Sequence, residues 1–390
     1  MPVSEELAAR ATPILERLVA FDTTSHLPNL ALIEWVEAYL ADLGVASRRV
    51  ANAAGTKANL LATLGPDAAG GVVLSGHTDV VPVKGQAWTS DPFVLARRED
   101  RLFGRGASDM KGFLALALAA TPDFLAAKLP KPIHLAFSYD EEIGCFGAPA
   151  MIEVIARELP RPALVVVGEP TSMEVVSGHK GITAWRVTVT GREAHSAQTH
   201  LGVSANMAAA KLMGALAELA ERLEREADPA SPFLPQHPTL TIGKVGGGTA
   251  GNILARECVF LFDLRNLPGQ AAHRQLAGFL DLAARVDAEI KARAPEGGVA
   301  VEQLADVPPL RPDPQGIAES FVRRLAGDNG PARVASFASE AGQFQEAGLP
   351  AVLCGPGSID QAHQPDEYVD VAQIERGAEF MIRLAEALAG

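Results

Sequence analysis

The side chains with the clearest capacity for chemistry are histidines and carboxylates that follow short apolar runs. Each lies close to such a run, to a glycine-containing turn or to the start of a helical pattern: His77, Asp79, Asp109, Glu141, Glu142, Glu169 and His363. Imidazole and carboxylate groups are the ligands that hard to borderline divalent metal ions take in proteins. The sequence therefore predicts a metal site, provided that the fold brings these residues together.

Taken singly, each of these residues also has an ordinary structural interpretation. His77 and Asp79 form a His-x-Asp pair, which is typical of a metal-binding imidazole whose second ring nitrogen donates to the carboxylate. A hydrogen-bonded core histidine is the alternative. Glu141 and Glu142, considered alone, favour a solvated turn. The metal-site prediction depends on the repetition of ligand types at the ends of successive apolar runs, which random polar turns would not produce.

Apolar runs alternate with helical patterns in the first and last parts of the chain. The predicted strands and helices are 72–74, 133–137, 164–167 and 351–353, and about 4–20, 30–43, 110–128 and 147–158. Apolar strands that alternate with helices predict an α/β domain with a mainly parallel sheet. Ligands of such sheets collect in the crevice beyond the carboxyl ends of the strands, which is where the histidines and carboxylates stand.

The middle of the chain has a different pattern. The pattern predicts a strand at about 184–189, a helix at 204–226, strands at 239–242 and 260–264, a helix at 271–292 and a strand at 299–304. This β-α-β-β-α-β order is that of a ferredoxin-like unit. We therefore predict a catalytic domain formed by 1–182 and 306–390, with a small domain inserted at 183–305.

Composition narrows the range of functions. The 390 residues include 34 basic and 47 acidic side chains, for a formal charge of −13, and no run rich in lysine or arginine. Nucleic acid is therefore not an expected partner. Cys145, Cys258 and Cys354 are far apart, which argues against a disulfide framework. Neither a signal-peptide pattern nor an apolar stretch of membrane-spanning length is evident, so we expect a cytoplasmic protein without a membrane partner.

Five motifs occur in order along nearly the whole chain: SGHTDVVP (75–82), GRGASDMKG (104–112), DEEIGC (140–145), GEPT (168–171) and AHQPDE (362–367). They resemble the signature of the metal-dependent deacylases, a family that includes acetylornithine deacetylases, succinyl-diaminopimelate desuccinylases, aminoacylases and glutamate carboxypeptidases. The segment 337–369 is more similar to the acetylornithine deacetylase branch than to the others. Lys84 departs from the family pattern, which often has an acidic residue there, but it lies outside the ligand set.

The resemblance implies a fold and a set of metal ligands. It implies a zinc-peptidase-like α/β catalytic domain that holds two zinc ions per chain, for which cobalt can substitute. His77 and Glu169 would bind one ion, Glu142 and His363 would bind the other, and Asp109 would bridge them. The ligand types themselves would also accept cobalt or manganese.

The resemblance also assigns the proton transfers. Asp79 would orient the imidazole, and Glu141 would act first as general base and then as general acid. A carboxylate in that position typically contributes ~10²–10⁴ in rate. The family pattern further implies a cis peptide bond between Asp109 and Met110.

The inserted segment resembles the lid and dimerisation domain of the family. His195 would reach across a homodimer to stabilise the oxyanion, and Asn252 would contact the substrate. Arg265 would hold an α-carboxylate with its bidentate fork, although a surface arginine at the end of a strand is the alternative interpretation. Glu340 is the residue that we expect to meet a positively charged substrate side chain.

These inferences together lead to a functional expectation. We expect hydrolysis of Nα-acetyl-L-ornithine to L-ornithine and acetate, a step of arginine biosynthesis. Another N-acyl amino acid deacylase, a desuccinylase or a dipeptidase on the same scaffold is the alternative. A catalytically inactive homologue would be expected to lack Glu141 or a ligand, and all of them are present.

Overall fold

The computed structural model describes residues 3–313 and 316–390 and divides into two compact units. The first consists of Met1–Gly178, Leu310–Val334 and Ser339–Gly390, and the second of His179–Pro309 and Ala335–Ala338. The tetrapeptide at 335–338 belongs to the second unit because its backbone and side chains bond there. The Ala335 carbonyl accepts from the Lys180 amide at 3.2 Å, and the Ser336 hydroxyl donates to the Leu234 carbonyl.

The helices and strands are numbered here in chain order. The helices are α1 (Val3–Val19), α2 (Leu30–Asp42), α3 (Lys111–Ala126), α4 (Ala148–Glu158), α5 (Ala205–Arg225), α6 (Ala272–Arg293), α7 (Ile317–Ala326), α8 (Ala341–Glu346) and α9 (Val371–Ala389). The strands are β1 (Ser47–Ala51), β2 (Ala58–Leu64), β3 (Val72–His77), β4 (Ala96–Arg98), β5 (Arg101–Phe103), β6 (Ile133–Ser138), β7 (Leu164–Val167), β8 (Val176–His179), β9 (Ile182–Thr190), β10 (Thr239–Gly247), β11 (Glu257–Arg265), β12 (Gly298–Val307), β13 (Arg333–Ala335), β14 (Ala351–Leu353) and β15 (Tyr368–Asp370).

The large sheet has the strand order β1-β2-β6-β3-β7-β14-β8-β13 among the residues described. Its central pairs, β6–β3, β3–β7 and β7–β14, are parallel, whereas β1–β2, β2–β6 and β14–β8 are antiparallel. Strands β3, β6 and β7 are buried along their whole length, as expected for strands that helices cover on both faces. Helices α1, α3 and α9 pack against one another over the same core. The prediction of an α/β fold with a mainly parallel sheet is therefore confirmed.

The second unit contains a four-stranded antiparallel sheet in the order β10-β11-β9-β12, with α5 and α6 packed against it. Buried and partly exposed residues alternate along β11, because one face of the strand meets the helices. Ser204 caps α5 by accepting a hydrogen bond from the Met207 amide, and leucines at helical spacing, Leu212, Leu216 and Leu219, enter the core. The element order is the predicted β-α-β-β-α-β.

A helix that crosses a bilayer must be both long and apolar. Over residues 3–313 and 316–390, no helix is both long and apolar enough to cross a bilayer.

Candidate metal centre

The residues predicted as ligands lie at the carboxyl ends of neighbouring parallel strands. Strand β3 ends at His77, and the register pairs His77 with Ser138, the last residue of β6. Glu169 follows the end of β7 by two residues. The loops after β6 and β14 and the segment before α3 supply the remaining predicted ligands and the predicted base: Glu141, Glu142, His363 and Asp109.

His77 is held on both sides of its ring and is 1% exposed. Its Nε2 lies 3.0 Å from Asp109 Oδ1. Its Nδ1 lies 2.9 Å from the main-chain oxygen of Asp79 and 3.7 Å from the Asp79 carboxylate, so the nearer acceptor is the carbonyl. The Asp79 carboxylate instead accepts from the Ser25 hydroxyl at 2.7 Å and from the amides of Glu141 and Glu142 at 3.1 and 3.3 Å. Asp79 thus joins the end of β3 to the loop after β6.

Asp109 presents one carboxylate oxygen to each histidine. Its Oδ1 faces His77, and its Oδ2 lies 3.4 Å from His363 Nε2. The same His363 nitrogen lies 2.9 Å from Glu142 Oε2. Asp109 is 5% exposed, whereas half of the His363 side chain is exposed. The peptide bond between Asp109 and Met110 is cis, as the resemblance implies.

Two overlapping groups of donor atoms have the proximity that a metal ion requires. His77, Glu141 and Glu169 form one group, and His77, Asp109 and Glu142 form the other, with the donor atoms of each group within 4.8 Å of one another. Glu169 Oε1 is buried without a hydrogen-bond partner. A buried carboxylate oxygen without a donor is costly, and a bound cation would compensate it. The residues present therefore fit a divalent metal ion.

The carboxylates of this cluster are buried close together, where little water screens the repulsion between them. Burial, together with the neighbouring carboxylates and against the effect of the histidines, raises the pKa of Glu141 to about 8 and that of Glu142 to about 7. Burial also raises the pKa of Glu169. Hydrogen bonds to Asp109 and Glu142 raise the pKa of His363 to about 10. Concentrated negative charge of this kind favours a cation in the site.

Three of the predicted site residues lie in the second unit, at opposite ends of its sheet. His195 and Asn252 are exposed neighbours near the end of β9: His195 pairs with Ile253, and the Ser196 amide donates to the Asn252 carbonyl at 2.9 Å. Arg265 is the last residue of β11, at the other end of the sheet, and its Nε lies 3.3 Å from Asp263.

Glu340 has partners other than the expected substrate group. It has no exposed surface, and its two oxygens accept from the hydroxyls of Ser75 and Ser138, each at 2.6 Å. Ser75 belongs to β3 and Ser138 to β6, so Glu340 links two central strands. Because both oxygens are occupied and buried, this structure does not present Glu340 to a substrate side chain.

Residues near the cluster that the sequence reasoning missed act through hydrogen bonds. Lys57 pairs with Asp140 directly before Glu141, and its Nζ also meets the Ser25 carbonyl. A hydrogen-bonded chain of Gln86, Arg105 and Glu367 connects the loops that carry Asp109 and His363. Arg105 lies within the motif GRGASDMKG, and Glu367 lies within AHQPDE. Position within these motifs was the available signal for Arg105 and Glu367, whereas Lys57 and Gln86 stand in ordinary polar loops.

A mainly parallel sheet with two histidines and several buried carboxylates at its strand ends and in the adjoining loops defines an α/β metal-dependent hydrolase. The chain belongs to peptidase family M20/M25/M40, whose model matches residues 73–387. It is 36% identical over 380 residues to an acetylornithine deacetylase from Proteus mirabilis strain HI4320, which covers 96% of this chain and 94% of the relative.

Two further comparisons agree with this placement. An acetylornithine deacetylase from Yersinia pseudotuberculosis serotype O:1b, strain IP 31758, is 33% identical over 387 residues, with 96% of this chain and 94% of the relative covered. The fold is similar to that of the M20 family metallo-carboxypeptidase Sso-CP2 from Sulfolobus solfataricus, with a TM-score of 0.77, 18% identity and coverage of 97% and 99% of the two chains.

Proposed function

We propose that this protein hydrolyses the amide bond of Nα-acetyl-L-ornithine to give L-ornithine and acetate, a reaction of arginine biosynthesis in the cytoplasm. The observation that carries the proposal is the cluster in which Asp109 faces both His77 and His363 while Glu141 stands beside them. The names of the relatives that are 33% and 36% identical support the choice of substrate.

The donor set favours two divalent ions per chain, which we propose to be zinc, with cobalt as a substitute. His77 and Glu169 would hold one ion, Glu142 and His363 would hold the other, and Asp109, whose two oxygens face the two histidines, would be shared between the ions. When bound, such a pair of ions polarises the scissile carbonyl and lowers the pKa of water from ~16 towards ~7. The unpartnered Glu169 oxygen supports this assignment.

Glu141 is the proposed proton carrier. Its Oε2 lies 4.0 Å from His77 Nε2, so the carboxylate stands directly beside a proposed metal ligand. Glu141 would accept the proton of the attacking water and then pass it to the departing amine. Asp79 supports this step from behind, because its carboxylate accepts from the Glu141 amide at 3.1 Å.

The substrate contacts are assigned to the second unit. His195 Nδ1 accepts from the Ala197 amide at 3.1 Å, which places the proton of a neutral ring on Nε2. That N–H is a suitable donor to the oxyanion of an amide-hydrolysis transition state. Arg265 would bind the α-carboxylate with its planar fork, and Asn252 would add an amide contact.

The distance between these groups supports a shared site. Arg265 and the His195–Asn252 pair lie at opposite ends of a sheet whose strand β11 has nine residues, about 26 Å at ~3.3 Å per residue. One small substrate cannot touch both ends of the same sheet. We therefore propose a homodimer in which Arg265 comes from one chain, whereas His195 and Asn252 come from its partner.

An exposed apolar surface beside the edge strand suits such an interface. Strand β10 is one of the two edges of the second sheet, and Val245 on it is 54% exposed. Met207 on the adjoining α5 is 74% exposed, and its neighbour Asn206 bonds the Gly247 carbonyl of β10. An unpaired strand edge with exposed apolar side chains favours association.

The test of the proposed activity is a hydrolysis panel with the zinc-loaded or cobalt-loaded protein. The substrates are Nα-acetylornithine, Nα-acetylmethionine, N-succinyl-diaminopimelate and simple dipeptides, compared by kcat/KM. Acetylornithine should have the highest value. A higher value for a dipeptide or the succinyl substrate would reassign the enzyme within its family, and no hydrolysis of any of them by the loaded protein would refute the proposal.

A further inference from the structure

Glu367 holds the backbone of the loop that carries Asp109. Its carboxylate is 1% exposed and accepts from Arg105 Nη1 at 2.7 Å. It also accepts from the amides of Gly106, Ser108 and Asp109 at 3.0, 2.8 and 3.0 Å. Four donors thus compensate one buried negative charge, as a buried carboxylate requires. The position of Asp109 therefore depends on a residue that follows His363 by four positions in the chain.

Arg105 continues this chain to the loop of His363 through Gln86. Arg105 Nη2 donates to Gln86 Oε1 at 2.5 Å, and the Trp88 indole donates to the same oxygen at 3.0 Å. Because this oxygen accepts both bonds, the amide nitrogen of Gln86 points away from them. It donates to the His363 main-chain oxygen at 2.8 Å.

The loop that carries His363 has a backbone that needs such support. His363 and Asp366 have φ angles of 62° and 54°, in the left-handed region that residues other than glycine seldom adopt. Each of the two is tied to the segment 86–89: His363 through Gln86, and Asp366 through its Oδ1, which accepts from the Thr89 amide at 2.9 Å.

We propose that Gln86, Arg105 and Glu367 are positioning residues that hold His363 at its distance from Asp109, an inference that rests on the two-metal site proposed above. The effect should be unequal between the two ions. His77 is 1% exposed on a buried strand, whereas His363 is half exposed on a loop. Loss of the Gln86 bond to His363 should therefore weaken the binding of the ion held by Glu142 and His363 and spare the other.

The experiment is a titration of the full-length, metal-free protein with Co²⁺. Calorimetry and visible absorption monitor the binding of each ion. The wild-type protein should bind two ions. Gln86→Leu should bind one ion with its affinity unchanged and the second about 10–100-fold more weakly, the usual effect of removing an outer partner of a ligand. His363→Ala provides the reference for loss of the second ion.

Two further variants separate positioning from general damage. Gln86→Glu keeps an acceptor for Arg105 and Trp88 but loses the donor to His363. It should therefore also lower the affinity for the second ion, despite its added negative charge. Gln345→Leu is the matched control, because Gln345 bonds the amide and carbonyl of Arg311 with its two amide atoms, at 2.9 and 2.8 Å, and should leave both ions unaffected.

The outcomes distinguish this inference from the proposed function. A wild-type protein that binds fewer than two Co²⁺ ions would overturn the two-metal site and the inference with it. If the wild-type protein binds two ions and Gln86→Leu binds both with unchanged affinity, or loses both equally, the inference alone is overturned.

Discussion

Lys57 and Asp140 form an ion pair directly before Glu141, with side-chain exposures of 12% and 15%. Asp140 has a φ of 57°, so the backbone turns through a left-handed residue just where the loop delivers Glu141 and Glu142. Lys57 Nζ also bonds the carbonyl of Ser25, whose hydroxyl bonds Asp79. Lys57 thus connects two segments that shape the cluster.

We expect Lys57→Met to lower the free energy of unfolding by about 2–4 kcal/mol, because removal of one partner leaves the carboxylate of Asp140 partly buried and unpaired. Denaturant unfolding of the metal-free protein measures this loss. The control is a double-mutant cycle: Lys57→Met with Asp140→Asn should lose less than the sum of the single changes. Strict additivity would mean that the pair contributes nothing.

Glu141→Gln tests the division of labour between the adjacent glutamates. The amide cannot take the proton from water, so kcat should fall by ~10²–10⁴ while two metal ions remain bound. Metal content by elemental analysis and kcat on acetylornithine are the measurements. Glu141 also lies within reach of His77 and Glu169. If the variant lost metal and excess zinc restored its activity, Glu141 would be a ligand and not the base.

Acid should destabilise the fold through two buried histidines. Burial lowers the pKa of His134 and of His179 to about 4 each. The unfolded chain binds protons at these residues below pH ~6.5, whereas the folded chain does so only near pH 4. The contribution of these histidines to the free energy of unfolding is therefore fully present above pH ~6.5 and decreases as the pH falls towards 4. At pH 5 the loss is about 2 kcal/mol per histidine.

The measurement is urea unfolding of the metal-free protein at pH 7 and pH 5. His134→Asn is the matched variant, because an amide can keep a partner for the Thr63 hydroxyl, which lies 2.9 Å from His134 Nδ1. Its loss of stability between the two pH values should be smaller than that of the wild type. An equal loss would show that His134 is not responsible.

The sequence predicts some parts of this site well, for a physical reason. Strands β3, β6 and β7 are buried along their whole length, so they appear as mainly apolar runs, and the polar residues that end or follow them, such as His77, stand out. Gln86 and Lys57 gave no such signal. Gln86 bonds His363 across 277 residues, and Lys57 bonds Asp140 across 83, in loops of ordinary composition. Residue type also misled at Glu340, because a carboxylate that suits an ammonium group equally suits two buried serine hydroxyls.

The shared-site proposal leads to a complementation experiment with two inactive chains. His195→Ala removes the proposed oxyanion donor but keeps Glu141, and Glu141→Gln does the reverse. If His195 acts on the partner's site, a mixed dimer contains one site with both residues intact, and the mixture should regain activity. Full random exchange would give mixed dimers as half of the population, each with one of two sites active, so about one quarter of wild-type activity is expected.

The measurement requires proof of exchange, for which native mass spectrometry of chains that differ in mass is suitable. Arg265→Ala with His195→Ala is the matched control mixture. Arg265 and His195 are proposed to serve the same site from different chains, so a mixed dimer of these two variants places both defects in one site and leaves the other intact. This mixture should therefore also recover activity. If the chains exchange and both mixtures stay inactive, His195 acts within its own chain or has no catalytic role.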